Sequence, residues 1–532
     1  VSIPAVFPAD CRNSDEAAIS GRVDKPRNDV RPPISYNTYR EEFIELVIPP
    51  NLKHCGRPIT VDEVKQIQNK PLQRARTKEV EHLLGAAPMN KLKSFVKNEA
   101  YHVPNDPRVI TTNSTALTLR MSAFTYAMKE DILKKLPFYG PCKTPREIHE
   151  RIKAIGEMGL LESDYNRFDG SISKYLQDLV NAIYLRWLND GPDAVEWIVL
   201  FQQVFVQKAT TKHGVKYKPG FGTRSGSPIT TDGNTLINAF ISYSALREMG
   251  KTKDEAWSLL GLYTGDDGLN RNIPGYEAAM KMAVAALGLS IEIVSSVPDS
   301  SIKFAGRCFP RPLTSMSSHQ DITRTLRKLH ISGNKGVSRK IAAYNRAAGY
   351  YITDAKTPLV GHWAKRVLAI VQRSDIAVND SISHEERFKI ENGAWPQEDD
   401  QIISDSIAST LGITNDELKY KTMQIMAAEN LDDFPVVWDN SDVSKPKITS
   451  LVGGELTGPH VKIEEEVCQK FPVTNSNSMM RQKNGNRQPT NTFVRRSNNF
   501  ERKRSTSLEK VQPSSSLHPI VESNNKPSTS GT

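Results

Sequence analysis

The chain has 532 residues, 38% of them apolar and 24% charged, with a formal net charge of +10; that length supports two to four domains with a sizeable core and excludes a small disulfide scaffold. Its five cysteines, Cys11, Cys55, Cys142, Cys308 and Cys468, form no CxxC pair and have no histidine at finger spacing, which favours a reducing compartment and argues against structural zinc. No stretch of about 18 apolar residues and no charged-then-apolar leader is present, so a soluble chain is expected, and the opening Val1 in place of Met suggests a piece of a longer polypeptide.

Residues 1–50 are rich in Pro, Asn and charge with few periodic signals, and are expected to drape over something larger. The basic stretch FVKNEAYHVPNDPRVI (95–110), taken alone, reads as a solvated face. Met121–Leu136 repeats apolar residues at intervals of three or four and stops at Pro137, which predicts a helix. Residues 160–171, LLESDYNRFDGS, read as a strand ending at Asp164 with Asp169 five residues on, followed by a helix over Ile172–Leu188. Residues 220–240, GFGTRSGSPITTDGNTLINAF, begin as a glycine-containing loop and pass into a helix over Asn234–Met249, ended by Gly250. The stretch LLGLYTG then leads into YTGDDGLN, with adjacent Asp266 and Asp267. SIEIVSSV and SIKFAGRCF read as a hairpin joined through Pro298-Asp299-Ser300. Asp405–Glu429 predicts two short helices, the second starting at an Asp/Asn cap. Helices and strands alternate without an even βαβ rhythm, so the class is α+β. Residues 471–532 hold ten Lys and Arg against three acidic residues and few large apolar ones, so most of the net charge lies in a tail expected to be disordered.

Adjacent acids in a turn are ordinarily solvated, and Asp164 with Asp169 alone reads as a cap with a surface acid. Order and setting change that reading. If the strands ending at Asp164 and leading into Asp266 are neighbours, about 4.8 Å apart, their carboxylates can share a divalent ion, which would keep them ionised despite mutual repulsion. Such an arrangement suits phosphoryl transfer with two metals about 3.5–4 Å apart. Asp169 lies beyond that position, where it could meet the sugar of a nucleotide. Gly226 would allow close backbone approach, and Ser225, Thr230 and Asn234 could hydrogen-bond a ribose, whose 2′-hydroxyl separates RNA from DNA precursors.

The combination of strand–DxxxxD–helix, SGxxxTxxxN and strand–GDD–strand resembles the RNA-dependent RNA polymerases of positive-strand RNA viruses, and the wording DYNRFDGS and SGSPITTDGNT is most similar to nodavirus replicases. The resemblance implies a right-hand fold: an N-terminal extension and fingers over 1–120, a palm with an antiparallel sheet and inserted fingers segments over 121–310, a helical thumb over 311–440, and a linker and disordered basic tail over 441–532. It implies that Asp164, Asp266 and Asp267 are catalytic and bind Mg²⁺, with Mn²⁺ as the alternative. Asp169, Ser225, Gly226, Thr230 and Asn234 would contact the nucleotide. Lys97, Glu99 and Arg108 resemble the motif whose cations hold the triphosphate, and Lys303–Arg307 resembles the primer grip. One departure is that ALGLSIEIVSS lacks the lysine often found there as general acid; Lys281 and Lys303 are the nearest cations. The resemblance further implies RNA template, nascent RNA and NTPs as partners and self-association within a replication complex. It also implies host cytoplasm at a membrane, mitochondrial for a nodavirus, and a membrane anchor and capping region upstream. A reverse transcriptase, which shares the paired aspartates, and a non-enzymatic RNA-binding protein acting through the tail are the competing readings.

Overall fold

The computed structural model describes residues 7–68, 71–84, 91–101, 105–332, 336–371, 394–435, 451–452 and 455–456. The expected basic tail lies outside them. Their architecture is α+β, as the irregular alternation of elements implied.

The first half of the core is helical. Helix α1 (Arg12–Ile19) packs on a small sheet, and α2 (Ser35–Val47) sends Tyr36, Phe43, Ile44 and Val47 into the main core. The N-terminal residues were expected only to drape, but the apolar spacing of Tyr36, Phe43 and Val47 inside a charged stretch is enough to bury a helix. Helix α3 (Thr115–Asp131) starts six residues earlier than its apolar repeat suggested, because the Ser114 hydroxyl caps it by accepting from Leu117 N at 3.2 Å. Helices α4 (Lys174–Trp187) and α5 (Pro192–Val206) meet through Tyr184 and Trp197, stacked 4.1 Å apart. Helix α6 (Thr230–Glu248) is buried on all sides from Asp232 to Leu246, its polar residues Asn234, Thr235 and Asn238 included. Helix α7 (Tyr276–Ala286) covers it.

Strands β1 (Leu92–Val96), β2 (Val109–Thr112), β4 (Ala209–Thr211) and β5 (Lys216–Tyr217) form one sheet in the order β2-β1-β4-β5. A second sheet positions the acids. It joins β3 (Leu160–Tyr165), β6 (Leu262–Thr264), β7 (Asp267–Arg271) and β8 (Ile291–Ser295) in the order β6-β7-β3-β8, with every neighbouring pair antiparallel. The period of two divides β3 between two cores: Leu161 and Tyr165 face the helices, whereas Leu160 faces a smaller cluster with Leu262, Leu269 and Phe304.

The expected hairpin of SIEIVSSV with SIKFAGRCF does not form. β8 pairs with β3, and SIKFAGRCF folds back on itself as β9 (Ile302–Phe304) and β10 (Arg307–Phe309) around Ala305-Gly306. Both turn residues have positive φ, 49° and 75°, the left-handed pair that closes a two-residue hairpin. A short strand, β11 (His319–Gln320), adds to β10.

A second core joins α8 (Ile322–Lys328), α9 (Arg339–Asp354), α10 (Val360–Ile370), α11 (Asp400–Leu411) and α12 (Asn415–Ala427). Helix α11 starts at Asp400 rather than 405, and α12 is capped by Thr414 in a capping box with Glu417, not by Asn or Asp. Arg307 is bonded across this junction to Asp354 at 3.0 and 3.3 Å, with both side chains buried. Ser318 Oγ accepts from Arg307 at 3.2 Å, and the Trp395 ring lies 4.4 Å from its guanidinium. Removing one member strands the other charge in the interior. Asp354→Ala should therefore lower the stability of the chain by about 3–5 kcal/mol in denaturant titrations, and a loss smaller than that of an ordinary surface substitution would contradict the buried pairing.

Candidate active site

Thr264 pairs with Asp267, so Gly265-Asp266 is a two-residue turn at the tip of the β6–β7 hairpin, with Gly265 at φ 63°. The turn is held from behind by α6. Asn238 Nδ2 donates to the carbonyls of Gly265, Asp266 and Asp267 at 3.2, 3.2 and 3.3 Å, and Thr235 Oγ1 accepts from Gly265 N at 2.9 Å. Tyr165 on β3 donates its hydroxyl to Asn238 Oδ1 at 3.3 Å, fixing which face of the amide meets the turn. Ser163 pairs with Gly268, and continuing that antiparallel register sets Asp164 across from Asp267. On its other side Asp164 pairs with Glu292 of β8.

These acids open onto one cavity of about 560 Å³. Asp164, Asp169, Asp266, Asp267 and Glu292 line it, together with the guanidinium-bearing residues Arg22, Arg108, Arg167, Arg224 and Arg324. Burial and the nearby Glu292 charge raise the Asp164 pKa. Burial also raises that of Asp266, reinforced by Asp169 and Asp164. Asp267 is pushed up to about 6 by burial and by the charges of Asp266 and Asp164, with Arg324 opposing. None of Asp164, Asp266 and Asp267 has an ion-pair partner among the described residues. No group of three His, Cys, Asp or Glu among the described residues stands close enough to form a preassembled metal cluster. The three carboxylates nevertheless fit a divalent cation in donor chemistry: hard oxygens that repel one another across the cavity wall, offset only in part by Arg108 and Arg324.

Asp169 sits in a short helical turn, Phe168–Ser171, and its carboxylate accepts from Ser225 Oγ at 2.5 Å and from Asn234 Nδ2 at 2.7 Å. Thr223 Oγ1 in turn donates to Asn234 Oδ1 at 2.9 Å. Of this group Asp169, Thr223 and Ser225 reach the cavity wall; Asn234 stands behind them. Thr230 is turned away, its hydroxyl donating to the carbonyls of Arg224 and Ser227 at 2.5 and 2.8 Å. Gly226 lies against β2, where a Cβ would stand 2.8 Å from Thr112 Cγ2, so its small size serves chain packing. Arg108 reaches the cavity. Lys97 does not, being paired with Glu99 at 2.8 Å; burial opposes ionisation of Glu99, but Lys97 and Arg108 hold its carboxyl below the usual range. Lys281 pairs with Glu277 within α7 and Lys303 with Asp321, and neither lines the cavity.

Sequence reasoning passed over Thr235, Asn238, Glu292, Arg22, Arg167 and Arg324. A signal existed for the first two: Asn234, Thr235 and Asn238 form a polar stripe along one face of the helix. Glu292 occupies the outward position of an alternating strand, indistinguishable there from a solvated acid. The three arginines come together only through tertiary contacts.

Residues 118–326 match the family model described as viral RNA-dependent RNA polymerase. That stretch is the polymerase region of a viral RNA-dependent RNA polymerase. The chain is 44% identical over 465 residues to the RNA-directed RNA polymerase of Pariacoto virus, covering 87% of this chain and 47% of that protein. It is 36% identical over 485 residues to that of Pieris rapae virus, covering 90% and 47%. The chain thus spans about half the length of the curated relatives it matches. The fold is similar to that of an insertion-loop deletion mutant of a human picobirnavirus RNA-dependent RNA polymerase, with a TM-score of 0.53 and 13% identity over 74% of this chain and 83% of that one.

The polymerase hairpin depends on close packing at Gly268, where a Cβ would stand 2.4 Å from Ser163 Oγ. Gly268→Ala should cost about 1–3 kcal/mol of stability through overpacking. Ser163→Ala in the same chain, by removing that oxygen, should return at least about half of the loss, and strict additivity of the two substitutions in a double-mutant cycle would refute the contact.

Proposed function

We propose that the chain is an RNA-directed RNA polymerase that transfers a nucleoside monophosphate from an NTP to the 3′-hydroxyl of a growing RNA, replicating a viral RNA genome. The observation that carries this reading is the meeting, in one cavity, of Asp164, Asp266 and Asp267 with a set of guanidiniums and with the bound carboxylate of Asp169. Asp164, Asp266 and Asp267 hold Mg²⁺, or Mn²⁺ in its place. When bound, the ions supply the positive charge that lowers the pKa of the attacking hydroxyl and stabilises the leaving pyrophosphate. The chain's own residues do the rest. Arg108 and Arg167 present bidentate donors to the triphosphate, while Lys97, paired with Glu99, adds charge behind them.

Asp169, held by Ser225 and Asn234, keeps lone pairs free to accept the ribose 2′-hydroxyl; Thr230 and Gly226 shape the loop that delivers Ser225. A deoxyribose has no hydroxyl to donate to that half-buried carboxylate, which is why the same cluster speaks against a reverse transcriptase. The partners are an RNA template, nascent RNA and NTPs, with self-association inside a viral replication complex in the host cytoplasm. Membrane attachment would come from elsewhere than the described residues, among which no helix is long and apolar enough to cross a membrane.

The β6–β7–β3–β8 sheet with α6 and α7 acts as the palm, the first sheet and α1 belong to the fingers side, and α8–α12 act as the thumb. Asp266→Asn should lower nucleotide incorporation in a primer-extension assay by about 10³-fold or more; product at the wild-type rate would remove the central assignment. Asn234→Ala should reduce the preference for ATP over dATP by about tenfold or more, since one orienting bond to Asp169 is lost. Unchanged discrimination would show that the Asp169 cluster does not read the sugar.

A further inference from the structure

Residues Ser20–Asp24, directly after α1, form a π-helical turn, a rare winding that concentrates at functional positions. Close packing fixes it beside the cavity. A Cβ on Gly170 would stand 2.2 Å from the Arg22 carbonyl, and one on Gly21 would stand 2.2 Å from Asp106 Oδ2. Downstream, Asn28 Nδ2 donates to the carbonyls of Ser171 and Leu287 at 2.9 and 2.8 Å, tying the strap to the Phe168–Ser171 turn and to the end of α7.

The turn projects Arg22 onto the cavity wall, where its Nε donates to the Asp106 carbonyl at 3.1 Å. The Asp106 carboxylate is taken by Arg167 at 2.7 Å. Among the described residues no hydrogen bond or ion pair occupies the terminal nitrogens of Arg22. Burial, together with the nearby charges of Arg167 and Arg108, holds its pKa below the ordinary arginine range, against the opposing pull of Tyr101 and Asp106. Three guanidiniums therefore face one space with Asp106 and Glu99 as their acidic partners, and Glu99 is shared with Lys97. A strand of RNA offers one charge per phosphate along a track; a triphosphate gathers several charges at one point, the better match for three converging forks.

We propose that Arg22 is a triphosphate-binding residue, its terminal nitrogens donating to phosphate oxygens of the incoming nucleotide beside Arg108 and Arg167. The assignment rests on the nucleotidyl-transfer reading above and adds a residue outside the stretch matched by the family model. In the 532-residue chain, Arg22→Gln raises KM for each NTP about tenfold or more, the size of a lost charge-assisted hydrogen bond, while kcat falls far less. Affinity for a template–primer duplex, measured without nucleotide, stays within about twofold, and Arg22→Lys, which keeps the charge but loses the fork, lies between the two.

Wild-type KM in Arg22→Gln overturns the proposal. So does a loss of duplex affinity at unchanged KM, which would assign Arg22 to an RNA phosphate. Should Arg22→Gln fail to fold, Arg22→Lys carries the test, and an unaltered KM there overturns the proposal equally. Asp266→Asn separates the two levels: full activity in that variant refutes the polymerase reading, whereas an inactive Asp266→Asn beside an unaltered Arg22→Gln refutes the role of Arg22 alone.

Discussion

Two adjacent carboxylates can stand at the tip of a hairpin only if the backbone beneath them cannot relax away from their mutual repulsion, and here one amide supplies that restraint. Asn238 spreads a single NH₂ over the carbonyls of Gly265, Asp266 and Asp267. Its orientation is set by the Tyr165 hydroxyl, and Thr235 anchors Gly265 from the next position on the same helix face. Net hydrogen-bond contributions of about 0.5–1.5 kcal/mol each are small singly, but in this buried setting they act on one turn. Because Asn238 and Thr235 sit on α6, which is buried nearly throughout, the rigidity of the main core is passed directly to the position of Asp266 and Asp267.

Opposite the acids, positive charge is gathered from distant parts of the chain. Arg22 arrives from the N-terminal strap, Arg108 from the start of β2, Arg167 from the turn after β3 and Arg324 from α8. Asp106 organises the first and third of these through its backbone carbonyl and its carboxylate respectively. Arg167 meets it only because it takes a left-handed backbone conformation, φ 56°, directly after the strand. Such a conformation is uncommon for a non-glycine residue and is held here by the ion pair and the turn around it. The cavity is thus divided by charge, acidic on the sheet and basic around it, which is the distribution a metal-bound polyphosphate requires.

Much of this was legible from residue types in order. Strand β3 ends within one residue of Asp164, α4 lies within two residues of its periodic stretch, and the GDD turn falls between two strands as the strand–GDD–strand order implied. What escaped was set by contacts distant in sequence. SIEIVSSV is as consistent with pairing downstream as with β3, and only Ala305-Gly306, both left-handed, takes the following strand out of that competition. Thr230 has the right residue type at the right spacing for a sugar contact, yet its hydroxyl is consumed by the loop carbonyls that precede its helix. Local side-chain-to-backbone bonds outcompeted the face that spacing alone would assign. Arg22 carries no sequence signal at all; its place follows from Gly170 and Gly21, whose missing side chains let the strap approach.

The junction to the C-terminal helices shows why a costly buried ion pair is retained. By itself the Arg307–Asp354 pair is a weak source of net stability, since both charges must leave water. Its geometry is nevertheless continuous with the site. Asp354 Oδ1 accepts from Gln320 N at 2.9 Å, which fixes β11, and the next residue, Asp321, caps α8 by accepting from Arg324 N at 3.2 Å while binding Lys303 at 3.0 Å. Arg324, in the first turn of α8, then faces the cavity, where its charge opposes the rise in the Asp267 pKa. At the far end of the same helix Lys328 feels the charges of Arg324, Glu99 and Lys97. A hydrophobic replacement of the pair could match its stability, but it could not fix the direction of β11. The position of Arg324 over Asp267 depends on that direction.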